Sequence, residues 1–145
     1  MEYRKDKRTK NLTLRDIHVG DWVQVWSEHT ERYSPPLRIT QICDDGTVYL
    51  IIDEENRLDP WEEDIKNIDA LPIDGDLLRG FGFRETSSED EFVYGDYNFS
   101  YNIRYQRLSH MYWSSAEYFH EMQNIISKKY NINFEWKGIK NDKTD

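Results

Sequence analysis

Residues 114–136, SSAEYFHEMQNIISKKYNINFEW, carry the pattern around which the chain is organised. Ser114 and Glu117 have the spacing of a capping box, in which two side chains satisfy orphan backbone N–H groups at a helix start. Phe119, Met122, Ile126 and Tyr130 follow at i, i+3, i+7 and i+11, an apolar stripe of helical period. Lys128 and Lys129 fall where the helix dipole favours cations, and Asn131 suits the left-handed position that ends a helix. Ile132, Phe134 and Trp136 then alternate with polar residues, so the stretch predicts a helix over 115–130 and a closing strand.

Upstream, the chain reads as two halves. Leu14–Trp26 is a turn leading into a strand, and its Val19-Gly20-Asp21-Trp22-Val23 run resembles the opening strand of SH3-like small barrels. Leu37–Cys43 and Thr47–Ile52 are rich in β-branched and apolar residues around Asp44-Asp45-Gly46, a hairpin signal. A strand is expected near Leu58–Trp61 and a helical turn at 64–68. Beyond Leu71-Pro72-Ile73, Asp74 caps a short helix through Leu77 and Leu78 that Gly80 stops. Tyr97, Phe99, Tyr101, Ile103 and Tyr105 alternate with polar residues, as in an antiparallel strand with one buried face. Leu108–Trp113 pairs back on it. The expected fold is α+β: an SH3-like β-barrel over 12–70, then an antiparallel meander covered by the C-terminal helix over 71–136. A flexible basic arm at 1–11 and a disordered tail at 137–145 flank them.

Charge narrows the choice of partners. The chain of 145 residues has a net charge of −9, yet residues 1–10 hold five Lys/Arg against Glu2 and Asp6. The remaining residues therefore hold 14 basic against 26 acidic groups, a net −12. Duplex binding requires cations against phosphate, so a body this acidic is expected not to bind nucleic acid except through the Arg4–Lys10 arm. Cys43 is the single cysteine, which excludes an internal disulfide and fits a reducing, cytoplasmic setting. No run approaches the ~18 apolar residues of a membrane-spanning helix.

Catalytic and cofactor motifs are missing. There is no GxxxxGK[ST], GxGxxG or GxSxG. His120-Glu121 begins an H-E-x-x-H, but position 124 is Asn124 where a second zinc ligand should stand. No metal, cofactor or catalytic set is assigned. Cys43 lies beside Asp44 and Asp45, whose charges blunt a thiolate. His120, Gln123 and Asn124 share one helical edge, which suits either hydrogen bonds to a neighbouring loop or a small polar ligand.

The acid-rich stretch from Asp44 to Asp76 is the strongest chemical signal, with twelve Asp/Glu against Arg57 and Lys66 in 33 residues. Its spacing is not that of an EF-hand. It reads either as a solvated surface or as a face that engages a basic protein partner, with Asp53, Glu54, Glu55, Asp59, Trp61, Glu62, Glu63 and Asp64 as the contact residues. Complementary charge speeds such association, and Trp61 would serve as the apolar anchor. Trp22, Trp26, Tyr33, Tyr49 and Trp61 read either as barrel core, the favoured reading, or as a groove for Pro-rich or cationic peptides.

The order of a small barrel, then Leu71-Pro72-Ile73, Leu77-Leu78 and Gly82-Phe83, then His-x-x-Gln-Asn at His120, Gln123 and Asn124, resembles a group of small uncharacterised proteins. They are encoded by Bacteroidetes bacteria and their phages and mobile elements. The resemblance spans residues 14–136 and departs at Lys129-Tyr130-Asn131, where the group has Leu-Thr-Gly. It implies a phage or mobile-element accessory protein. From the acidic 44–76 face the expected function is a non-enzymatic acidic binding protein, in its sharpest form an inhibitor or decoy of a host nucleic-acid-handling or defence protein (anti-CRISPR-like). The alternatives are a protein that sequesters a small ligand or nucleotide, and an interaction module of the host.

Overall fold

The computed structural model describes residues 9–88, 90–110, 113–130 and 132–138, and the chain divides into two compact units between Leu71 and Pro72. It is α+β and its sheets are antiparallel.

The first unit is one curled sheet, a half-barrel. Its strands are β1 (Trp22–Ser27), β2 (Arg32–Tyr33), β3 (Leu37–Ile42), β4 (Thr47–Ile51), β5 (Trp61–Asp64) and β6 (Ile68–Asp69), ordered β2-β1-β3-β4-β5 with β6 also on β1. The curl wraps Trp22, Val23, Leu37, Ile39, Val48, Leu50 and Ile68 into a buried core. Trp22 and Trp26 are core residues, as their sequence suggests, whereas Tyr33 and Tyr49 are half-buried and Trp61 is exposed. The turn into β1 is held by the buried Asp21, whose carboxylate accepts from the His18 N–H at 2.8 Å. The 3-10 turn Ile65–Asn67 fills the expected place, with the Lys66 N–H capped by Asp64.

Residues 9–11 are not part of a flexible arm. Thr9 Oγ1 donates to the Ala70 carbonyl at 2.9 Å, the Ala70 N–H donates to the Lys10 carbonyl at 2.8 Å, and Asn11 bridges to Asp69. The segment thus lies along β6, antiparallel to it at Asn11 and Asp69. The rest of the basic arm lies outside the described residues. The expected strand at Leu58–Trp61 starts later, at Trp61, because Pro60 lacks the N–H a paired position needs.

In the second unit, α1 (Gly75–Gly80) precedes a meander of β7 (Arg84–Glu85), β8 (Glu91–Tyr94), β9 (Tyr97–Asn102), β10 (Arg107–His110) and β11 (Trp113–Ala116), followed by α2 (Phe119–Tyr130). Asp74 caps α1 by accepting from the Leu77 N–H at 2.8 Å. The helix ends in a Schellman motif: Phe83 N–H reaches the Leu78 carbonyl, Gly82 N–H reaches that of Arg79, and Gly82 supplies the left-handed φ of 98°.

Three expectations are corrected here. The first concerns Ser114–Glu117, which starts no helix. Residues 113–116 form β11, Ala116 pairs with Leu108, and α2 begins at Phe119. Burial of Ala116 in the sheet outweighs a local cap, and Glu121 serves instead, accepting from the Tyr118 N–H at 3.3 Å. Second, the alternation from Tyr97 to Tyr105 breaks at Asn102, whose side chain accepts from the Tyr105 N–H and turns the chain into a hairpin that leaves Ile103 and Tyr105 exposed. Third, residues 132–136 form no strand. Their alternation seats Phe134 among Phe83 and Phe119, with Trp136 against Phe81, and no ladder is made. Lys137 is likewise no tail residue, since its N–H donates to the Gly80 carbonyl at 2.8 Å. The last turn's Lys128 and Lys129 side chains, Asn131 and residues 139–145 lie outside the described residues.

The apolar stripe of α2 is where the sequence places it. Phe119, Met122 and Ile126 are fully buried, Phe119 stacks on Phe81 at 4.1 Å, and Tyr130 stacks on Tyr97 at 4.0 Å. Gly80 matters for space: a Cβ there would lie 2.2 Å from the Trp136 ring. Gly80→Ala is therefore expected to destabilise the protein by about 1–3 kcal/mol or more, the usual cost of overpacking. Adding Trp136→Ala should recover part of that loss, so the double variant is less destabilised than the two single costs combined. Denaturant unfolding of the four proteins checks this, and strict additivity would refute the contact.

Candidate partner-binding edge

The eight residues expected to form a contact face do lie along one border of the first unit. Asp53, Glu54, Glu55 and Asp59 are in the β4–β5 connection, and Trp61, Glu62, Glu63 and Asp64 are β5 itself. β5 pairs with β4 through Leu50↔Trp61, Tyr49↔Glu62, Val48↔Glu63 and Thr47↔Asp64. This register puts Trp61 and Glu63 on the side of the buried Val48 and Leu50, and Glu62 and Asp64 on the side of Tyr49. β5 is the last strand of its sheet.

The carboxylates divide by what they hold. Glu54 is clamped by two arginines: Arg57 Nε donates to Oε1 at 2.7 Å, Arg57 Nη2 donates to Oε2 at 3.0 Å, and Arg38 closes on Oε2. Asp53 accepts from the Glu55 N–H at 2.9 Å, Asp64 accepts from the Lys66 N–H at 2.9 Å, and Glu63 accepts from Asn67 Nδ2 at 3.4 Å. These four shape the border. Glu55, Asp59 and Glu62 are exposed, and the charge of Glu62 is the first cause that pushes the Tyr49 hydroxyl pKa up.

Leu58 was not among the expected contact residues. It is 99% exposed, and Trp61 three positions on is 42% exposed. Two large apolar side chains are thus held in water amid seven carboxylates and one arginine over residues 53–64, a net −6. The signal was legible: Leu58 sits between Arg57 and Asp59-Pro60, with no apolar neighbour to alternate with.

Of the second expected set, His120 and Gln123 are buried, and Asn124 Nδ2 donates to the His120 carbonyl at 2.7 Å along the helix. A groove of about 490 Å³ lies elsewhere in that unit, lined by Glu91, Asp96, Tyr97, Ser100, Ser109 and His110 among others. Glu91, Ser100 and Ser109 form one row across β8, β9 and β10. Burial pushes the His110 imidazole pKa down. Among the described residues no three His, Cys, Asp or Glu are placed to hold a metal ion, and no helix is long and apolar enough to cross a membrane.

Comparison with known proteins finds no matching family model, curated protein or solved structure.

The Arg57 and Arg38 guanidiniums hold the Glu54 carboxyl at about 2, against an ordinary 4.5. Because the folded value is depressed, this pairing favours the folded state fully above the ordinary value, and the effect is lost as pH falls from about 4.5 through about 2. A carboxyl-carbon NMR titration should give Glu54 a midpoint near 2 in the native chain and a higher one in Arg57→Ala. An unmoved midpoint in the variant would remove Arg57 as the main cause.

Proposed function

We propose that this protein is a non-enzymatic acidic binding protein that engages a partner with a basic surface through β5 and the 53–59 connection. The observation that carries this reading is the pair Leu58 and Trp61, exposed in the middle of an acidic sheet edge. Charge alone serves solubility. Charge around exposed apolar anchors is the arrangement of an interface, in which a desolvated aromatic supplies affinity and the surrounding charges supply rate and selectivity. The half-barrel is read as SH3-like and the setting as cytoplasmic. The resemblance to small phage and mobile-element proteins supports the more specific version, an accessory protein that inhibits or decoys a host nucleic-acid-handling or defence protein by presenting a phosphate-like run of charge.

The test compares the native chain with Glu62→Lys/Glu63→Lys/Asp64→Lys as bait in lysate of the encoding cell, at low and high salt. The native bait is expected to retain a partner at low salt and release it at high salt. The reversed variant, shown to be folded by circular dichroism, should lose it at both. Retention by the reversed variant would refute the edge. Trp61→Ala should weaken the same interaction by ten-fold or more if the ring is an anchor, about 1.4 kcal/mol or more.

A second reading rests on the groove of the other unit. Its carboxylates, hydroxyls and tyrosine wall suit a small polar ligand better than the buried His120 edge does. In a thermal-shift screen of nucleotides, sugars and amines, a ligand present at 100 times its Kd adds about 2.7 kcal/mol of stability. A shift that Ser100→Leu abolishes would place the ligand there, and no shift across the screen would dismiss this reading.

A further inference from the structure

We infer that β5 takes its partner by strand addition: an extended, lysine- or arginine-rich segment of the partner lies along Trp61–Asp64 and continues the first sheet by one strand. This rests on the reading of that border as the partner-binding surface and names the mode of recognition.

β5 ends the order β2-β1-β3-β4-β5, and β4 is its one strand partner among the described residues. A strand in that place turns the N–H and C=O of alternate residues away from its sheet, which templates pairing with another chain. Proteins usually block such an edge by shortening it, placing charged side chains (lysine above all) or proline in it, or bulging it. The charges of β5 are all negative, so they block a like-charged strand but not a cationic one. β2 and β7, at two other sheet ends, are two residues long. β5 has four residues, neither lysine nor proline, and a register with β4 that runs without a shift from Thr47 to Leu50, whereas the β3–β4 pairing shifts at Ile39/Gln41. Its limits are defined. Pro60 precedes it without an N–H, and at the far end Ile65 N–H turns back to the Gly46 carbonyl.

The side chains decide what fits. A second copy of β5 would set Glu62, Glu63 and Asp64 against the same three carboxylates, and like charges across strands repel. Self-pairing is therefore disfavoured and a cationic strand is favoured. Glu62 and Asp64 share one face, so lysine or arginine at alternate positions of the incoming strand would pair with both. Its intervening residues would fall on the Trp61 side, where an apolar or threonine side chain packs against the exposed ring.

The test uses the full chain and two synthetic eight-residue peptides of alternating lysine and valine. In one, the four central backbone nitrogens are N-methylated, so charge is kept and strand pairing is blocked. The unmodified peptide is expected to bind and to slow hydrogen exchange at the amides of 61–64, and the methylated one to bind at least ten-fold more weakly. Equal affinities, or binding without amide protection, would overturn strand addition and leave the acidic edge standing. The same holds if neither peptide binds at low salt while the charge-reversed variant still loses its cellular partner. If the folded Glu62→Lys/Glu63→Lys/Asp64→Lys variant binds the unmodified peptide as well as the native chain, both readings fall.

Discussion

The carboxyl of Asp69 is fully buried, and a buried polar group of this kind is tolerated only when hydrogen-bonded. The Tyr33 hydroxyl donates to it at 2.6 Å and Asn11 Nδ2 at 3.3 Å. Burial, and after it the bond to Asp69, pushes the tyrosine's pKa up, so the hydroxyl keeps its proton and remains a donor. Three segments meet in this one group. Tyr33 belongs to β2, Asp69 to β6, and Asn11 to the segment that pairs beyond it. Gln24 on β1 adds a bond to the Ala70 carbonyl at 3.0 Å. The half-barrel is therefore closed at this point, where the chain leaves β5 and docks β6 on β1. That departure leaves β5 with one strand neighbour among the described residues. Had the chain turned back beside β5, the acidic residues would line an interior pairing and the edge would not exist.

Features with a local cause were legible in the sequence. The Asp74 cap, the 44–46 hairpin, the turn at 65–67 and the stripe of α2 each depend on contacts within a few residues, and each is found where its signal lies. The errors share a different cause. Ser114 and Glu117 make a valid cap in isolation, but Ala116 pairs with Leu108 and the sheet takes the segment. Ile132, Phe134 and Trp136 alternate as a strand does, yet alternation reports only that every second side chain is buried. Here the burial is against Phe81, Phe83 and Phe119, with no strand alongside. Gly80 shows the same limit from the other side. It reads as a helix stop, while Gly82 performs that task and Gly80 makes room for a ring 56 positions away.

For the candidate site, charge was more plainly legible than exposure. The run of acids states where the border is but not which members are engaged within the fold. Glu54 is the acid most firmly held by cations, since Arg38 arrives from β3 to join Arg57. Conversely, Leu58 is a residue type usually assigned to a core, and only its polar neighbours signal its exposure. Leu58 is exposed because the connection of 53–60 is short and polar and its backbone turns through the 3-10 segment Glu54–Asn56, which gives Leu58 no interior to enter. His120 and Gln123 are both buried, which polar residues on a helix do not signal.

The acids of β5 are open to two physical interpretations that differ in what they require of Trp61. If they serve only to keep an edge strand from pairing, the neighbouring ring should be small or turned into the core, since an exposed tryptophan adds the apolar surface that such charges exist to offset. If they select a cationic partner, an exposed ring beside them is what gives the encounter its affinity. Trp61 sits opposite the fully buried Leu50 and could have followed it inward, yet it is 42% exposed. Leu58, with no core contact to explain it, lies in the same border. Val19 and Leu14 are also exposed in this unit, but singly and outside the acid-rich stretch. Two exposed apolar groups within four residues at an acidic edge weigh against solubility as the whole explanation.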